Sequence, residues 1–135
     1  MKKILLILAV AMGIISISFT VINNQQPKPW AVPDKDKNTK NPVASDAASL
    51  KEGKALWDTH CKSCHGAKGL GDGSKAAQLK TEPGDFSKAD VQTQTDGALF
   101  YKLSEGRDDM PNFKKKLPDA DDSWNLVNFI RTLKK

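Results

Sequence analysis

Cys61-Lys62-Ser63-Cys64-His65 constrains this chain more than any other stretch. Two thiols three positions apart lie on about one helical turn, and a histidine follows at once. That is the C-x-x-C-H pattern of covalent haem attachment. The spacing has a chemical reason: each thiol can add across one vinyl group of a single porphyrin. The imidazole is then held beneath the iron as an axial ligand. Both cysteines of the 135-residue chain sit in this run, so no other thiol chemistry needs explaining. Three rival readings weigh less. A redox dithiol wants a βαβ setting, and nothing before Cys61 reads as a strand. A structural zinc site wants four ligands, whereas the only other histidine, His60, abuts the same motif. A plain disulfide fits an exported protein on composition and stays open at this point.

The N-terminus reads as an export signal. Lys2 and Lys3 precede an uncharged run from Ile4 to Ile22, 19 residues long. A cleaved signal has an apolar core of only ~7–15 residues, while a helix needs ~20 to span a bilayer. Ser16-Ile17-Ser18 is a poor cleavage site, so residues 1–22 are read as a retained anchor ahead of a removed signal peptide. The two lysines keep the N-terminus cytoplasmic and place everything after Ile22 outside. The expected location is the periplasmic side of the inner membrane, tethered through residues 4–22, or the soluble periplasm if the leader is cut. No cysteine lies near the end of the run, which excludes a lipoprotein anchor.

Residues 23–44 shift to Asn, Gln, Lys, Asp and Pro, with four of the seven prolines (Pro27, Pro29, Pro33, Pro42). Such a stretch reads as an extended linker without helix or central strand. At about 3.1 Å per residue it would reach at most roughly 68 Å. Trp30 stands out in it. Membrane-interface anchoring, packing onto the following domain and docking to a partner complex are all open for this residue. The formal charge of +5 is spread thinly: the leader and the linker hold +2 each, and residues 45–135 carry 15 basic against 14 acidic side chains. The basic balance therefore gives no argument for nucleic acid as a partner.

Residues 45–135 form one small domain whose core is thin at this length, and a buried porphyrin would supply much of the missing apolar contact. The pattern is all-α, with three main helices and loops wrapped around one covalent haem. Asp46 caps a helix to about His60, with Leu50, Gly53, Trp57 and Cys61 on one face. The glycine-rich stretch Gly66–Gly73 is loop. Asp96 opens a second helix, with Leu99, Phe100 and Leu103 inward and Gly106 at its end. Asp119 caps the last, whose stripe is Leu126, Phe129, Ile130 and Leu133.

A second iron ligand follows by elimination. Met1 and Met12 lie in the leader, which leaves Met110 as the domain's one thioether. It sits in the polar stretch Gly106-Arg107-Asp108-Asp109-Met110-Pro111, where an apolar side chain needs a reason. A loop methionine folded onto the core is the plain alternative. His60, next to Cys61, is read as a surface or helix-end residue. Histidine with methionine ligation raises the potential and leaves no vacant position, which favours electron transfer over oxygen activation.

Taken together, Gly53-x-x-x-Trp57-x-x-x-Cys61-Lys62-Ser63-Cys64-His65-Gly66, Gly69-x-Gly71-Asp72-Gly73, Gly106-x-x-x-Met110-Pro111-x-Phe113 and Trp124-Asn125-Leu126-Val127-Asn128-Phe129-Ile130-Arg131 resemble a class I mono-haem c-type cytochrome. The likeness covers nearly all of 45–135 and is closest to small bacterial domains attached to respiratory oxidoreductases. It implies that the first and last helices cross, with Gly53 allowing close approach near Leu126 and Phe129. It also implies that Pro83 offers its carbonyl to the other nitrogen of His65, which would orient the ring. Tyr101, Arg107 and Trp124 are chemically suitable for the haem propionates, though each also suits ordinary core or surface duty. Lys114-Lys115-Lys116 is either a solvated face or a basic rim that steers acidic redox partners. The expected function is a one-electron carrier, not an enzyme, shuttling between redox proteins of a respiratory chain. A fixed haem subunit of a membrane oxidoreductase is the alternative, and a haem enzyme or gas sensor with an open iron site the more distant one.

Overall fold

The computed structural model describes residues 29–135. The run Ile4–Ile22, with its expected anchor, and residues 23–28 lie outside the described residues. Among the described residues six α-helices follow one another: α1 (Asp34–Lys37), α2 (Ala47–His60), α3 (Lys62–His65), α4 (Ala89–Gln92), α5 (Asp96–Glu105) and α6 (Ala120–Thr132), with a 3-10 turn at Ala76–Gln78. Among the described residues there is no strand, only an isolated bridge between Arg107 and Met110. None of these helices is long and apolar enough to cross a membrane. The three longest are the expected three, and the fold is the expected all-α one.

Helix starts follow local chemistry. Asp46 accepts the Ser49 N–H at 2.9 Å and opens α2. Asp119 accepts the Asp121 N–H and opens α6, whose first turn carries Asp121 and Asp122 at the positive end of the helix dipole. α5 begins at Asp96 as expected, capped by Thr95, whose hydroxyl accepts the Ala98 N–H. That leaves Asp96 to accept two hydrogen bonds from Arg131 on α6, at 2.6 and 2.8 Å. The same guanidinium donates to the carbonyls of Gln92 and Gln94, so one side chain sews α6 to the segment entering α5.

The core lies where α2 crosses α6, the most extensive helix contact among the described residues. Trp57, Leu126 and Val127 are fully buried there, each contributing about 1.5–3 kcal/mol through removal of apolar surface. The approach is close because position 53 has no side chain: a Cβ on Gly53 would run into the Asn125 carbonyl and the Cβ of Phe129. One expected inward residue of α2, Leu50, is only half-buried, and Ser49 takes the inner place. Its hydroxyl accepts from the buried Asn128 amide at 2.8 Å.

Asn128 also corrects the expected linker. Its side chain accepts from Asn41 Nδ2 at 2.8 Å and donates to the carbonyl of Val43 at 3.2 Å. Within the stretch read as helix-free, residues 34–37 form α1, which packs on α5. The Thr95 hydroxyl donates to the Lys37 carbonyl at 2.6 Å, and Val32 is buried. Proline content forbade a long helix but not a four-residue one started after Pro33, where the missing N–H is harmless. Residues 29–44 are thus a docked arm along the domain. Replacing Asn128 by alanine leaves Ser49, Asn41 and two carbonyls short of partners, and is expected to destabilise the protein by about 2–3 kcal/mol. Urea unfolding measures this, and a loss under half of that would show that the network is dispensable.

Candidate functional site

The C-x-x-C-H run folds as a helical corner. Cys61 ends α2 with its N–H bonded to the Trp57 carbonyl, and α3 carries Cys64 and His65 onward. The glycine-rich loop then turns back upon it: the Gly71 N–H donates to the His65 carbonyl at 2.9 Å and Gly73 N–H to that of Cys64 at 3.2 Å. Trp57 Nε1 donates to the Gly66 carbonyl at 3.0 Å, which pins the corner to the core. Both thiols, His65 and Met110 line one cavity of about 650 Å³, counting the open space at its mouth. Its remaining lining is largely apolar, with Leu79, Pro83, Pro111 and Phe113 prominent.

His65 is packed edge-on against Phe86, ring centroids 4.8 Å apart, and tilted on Trp57 at 5.8 Å. Burial holds its pKa below the ordinary histidine value, against a smaller opposite pull from the Pro83 carbonyl. The ring is therefore held neutral, the form that can donate a lone pair to a metal. The expected Pro83 contact is present in direction but not as a closed bond: Nδ1 is buried without a hydrogen-bond partner of proper geometry. Burial, with some help from Cys64, pushes the Cys61 thiol up to about 12. A thiol that reluctant to ionise is the opposite of the activated thiolate a redox dithiol requires. Both cysteines are free, so the disulfide reading finds no bridge. Among the described residues no group of three or more His, Cys, Asp and Glu could hold a metal ion, so the zinc reading finds no ligand set there.

The loop that carries Met110 is a tight turn. Arg107 and Met110 exchange both backbone hydrogen bonds at 2.9 Å, and Asp108 takes a left-handed φ of +53° between them. Asp109 ties this turn to a distant segment, accepting the N–H groups of Lys80 at 2.7 Å and Thr81 at 3.2 Å. Arg107 lines the cavity, its Nε 3.4 Å from Asp108.

Of the eight expected site residues, the structure brings six to this cavity: Cys61, Cys64, His65, Pro83, Arg107 and Met110. Tyr101 and Trp124 do not line it. Trp124 is buried and stacked on Phe100, centroids 4.0 Å apart and 17° between planes. Tyr101 lines a separate groove beside Lys35 and Pro118. Three residues of the site escaped sequence reasoning. His60 lines the cavity, set edge-on against Phe113. Asp109 bridges its segments. Trp30, from the docked arm, lies under the Arg107 guanidinium with 4.6 Å from Cζ to the ring centroid. The lysine run has mixed duties: Lys114 pairs with Glu105 at 3.0 Å, and Lys116 lies over the Phe113 ring at 5.4 Å.

The lining fits an iron-bearing macrocycle. It offers two thiols at attachment spacing, a neutral imidazole, a soft thioether, and a guanidinium of the kind that binds carboxylates.

Known proteins bear on the same residues. The family described as "Cytochrome C oxidase, cbb3-type, subunit III" matches residues 48–130. No curated protein matches the chain. Among solved structures, a chain of the Kuenenia stuttgartiensis reducing HAO-like protein complex is similar with a TM-score of 0.62 at 21% identity. The match covers 83% of this chain and 53% of that one, so this chain spans about half the length of that neighbour. At such identity the likeness shows the fold alone. The family match runs through nearly all of the two crossing helices and takes in every wall of the cavity but Trp30. On that ground the chain belongs to the family of cbb3-type cytochrome c oxidase subunit III domains, which are small c-type cytochromes.

Proposed function

We propose that this cytochrome c domain carries a single haem c, joined through Cys61 and Cys64 and ligated by His65 and Met110, as a one-electron carrier. When bound, the haem supplies a one-electron couple, and the protein contributes potential, orientation and a docking surface. The observation that carries the reading is the convergence of both thiols, His65 and Met110 on one largely apolar cavity. His65 is kept neutral by burial and oriented by Trp57 and Phe86. Phe113, buried beside the Met110 turn, keeps water from the cavity floor.

Its partners are read as redox proteins of a respiratory chain, met on the periplasmic side of a membrane to which residues 4–22 tether the domain. The charged leader ahead of an apolar run long enough to span supports that location. The family's name, which is that of an oxidase subunit, favours a second arrangement in which the domain is a fixed haem subunit of a membrane complex.

The test begins with the purified full chain. Haem is expected to stay with the polypeptide in acidified acetone, and the reduced protein to give a c-type spectrum that carbon monoxide leaves unchanged at neutral pH. Haem lost to the solvent would sink covalent attachment, and ready carbon monoxide binding would point to an open-site enzyme or sensor. Gentle detergent extraction separates carrier from subunit: stable co-purification with other chains would end the free-carrier reading.

A further inference from the structure

The docked arm delivers an aromatic ring to the cavity, and nothing in the ligand set explains why. The arm is anchored independently at several points behind Trp30. Val32, two residues on, is buried. The turn of α1 lies against α5 at Gly97, where a Cβ would collide with the backbone carbonyls of Asp36 and Thr39. Thr95 binds the Lys37 carbonyl, and Asn41 binds Asn128 on α6. The indole is therefore placed by a fixed segment and is not the end of a loose tail.

At that place it meets two cations. Arg107 Cζ is 4.6 Å and Lys102 Nζ 5.6 Å from the ring centroid, both within the distance at which a ring face attracts a positive charge. Lys102 is half-buried and also donates to Gln94 Oε1 at 2.7 Å. Its ammonium is weakened by burial and by Arg107 nearby, as expected of two like charges gathered on one ring. Trp30 and Arg107 both line the cavity that holds His65 and Met110. A guanidinium stacked on an aromatic face keeps its in-plane N–H groups pointed at carboxylates, because stacking uses the face and hydrogen bonding the edge.

We infer that Trp30 is a positioning residue of the haem site, laid at the partly exposed rim of the cavity by the docked arm, where its ring fixes the Arg107 guanidinium and excludes water. This rests on the reading of the cavity as a haem crevice. Loss of the ring lets water reach the rim and loosens the positive charge of Arg107. Both effects favour the oxidised over the reduced iron, whose net charge is one unit lower.

Potentiometric titration of the haem-loaded full chain reads this directly. Trp30→Ala is expected to raise the oxidised-to-reduced ratio at a fixed ambient potential about threefold, a midpoint drop of about 28 mV for a one-electron couple. Trp30→Leu keeps apolar bulk but no ring face, and is expected to shift the ratio about twofold in the same direction. Trp30→Phe is expected to stay near wild type. In an Arg107→Gln background the Trp30→Leu shift is expected to fall below half. Far-UV circular dichroism identifies which variants fold, and should Trp30→Ala fail, Trp30→Leu carries the test alone. A folded Trp30→Leu protein with the wild-type potential would overturn the inference, as would a full shift persisting without Arg107. A wild-type chain that holds no covalent haem would instead defeat the underlying function.

Discussion

Replacing Met110 by alanine is expected to abolish the long-wavelength thioether-to-iron absorption of the oxidised protein. The reduced protein should then bind carbon monoxide. The grounds are positional. Met110 is half-buried, packed against the core, and lines the same cavity as His65 although its turn is otherwise polar. Arg107 and Met110 lock that turn by exchanging backbone hydrogen bonds, so the side chain is presented by a closed structure and truncation does not unravel it. Histidine–methionine ligation raises reduction potential. The variant's midpoint is therefore expected to drop by on the order of 100 mV, a modest part of the ~0.8 V that axial ligands span. Survival of the band in a folded Met110→Ala protein would remove Met110 from the iron and return it to core duty.

Gly53→Ala is expected to be strongly destabilising for a single added methyl. Alanine normally gains roughly 1 kcal/mol over glycine inside a helix. Here its Cβ would overlap the Asn125 carbonyl, a backbone atom that cannot rotate aside, with Phe129 Cβ close behind. Relief requires moving α2 off α6, and those helices bury Trp57, Leu126 and Val127 between them. Overpacking of this kind costs about 3 kcal/mol or more when backbone must shift. For a domain of this size that lowers the melting temperature by roughly 12 °C or more. Calorimetry of the haem-loaded protein decides the matter, and a melting temperature within a few degrees of wild type would mean that the two helices part at little cost.

Much of this architecture was legible because it rests on local rules. Asp46 and Asp119 are capping residues before apolar stripes, and both cap. Gly53, Trp57, Leu126 and Ile130 repeat at helical spacing, and all are buried. Met110 could be reached by exclusion because the domain has no other thioether. What escaped depends on partners far away in the chain. Asn128 looks like a polar interruption in an apolar stripe until Asn41, Val43 and Ser49 arrive to satisfy it. Trp30 lies among prolines and lysines whose composition describes a tether, and nothing local tells that Thr95 and Gly97 will receive the arm.

Asp109 also restrains motion at the cavity. Its carboxylate grips the N–H groups of Lys80 and Thr81 while its neighbour Met110 lines the cavity. The Lys80–Thr81 segment leads directly to Pro83, on the same cavity beside His65. Two lengths of chain on the cavity, one bearing Met110 and one leading to Pro83, are thus joined by one side chain. Each of these exposed bonds is modest alone, though a carboxylate strengthens it. Jointly they oppose any widening of the gap between the segments. A site that holds its shape as charge comes and goes has little nuclear rearrangement to perform at each transfer, and so its rate is set by distance and driving force.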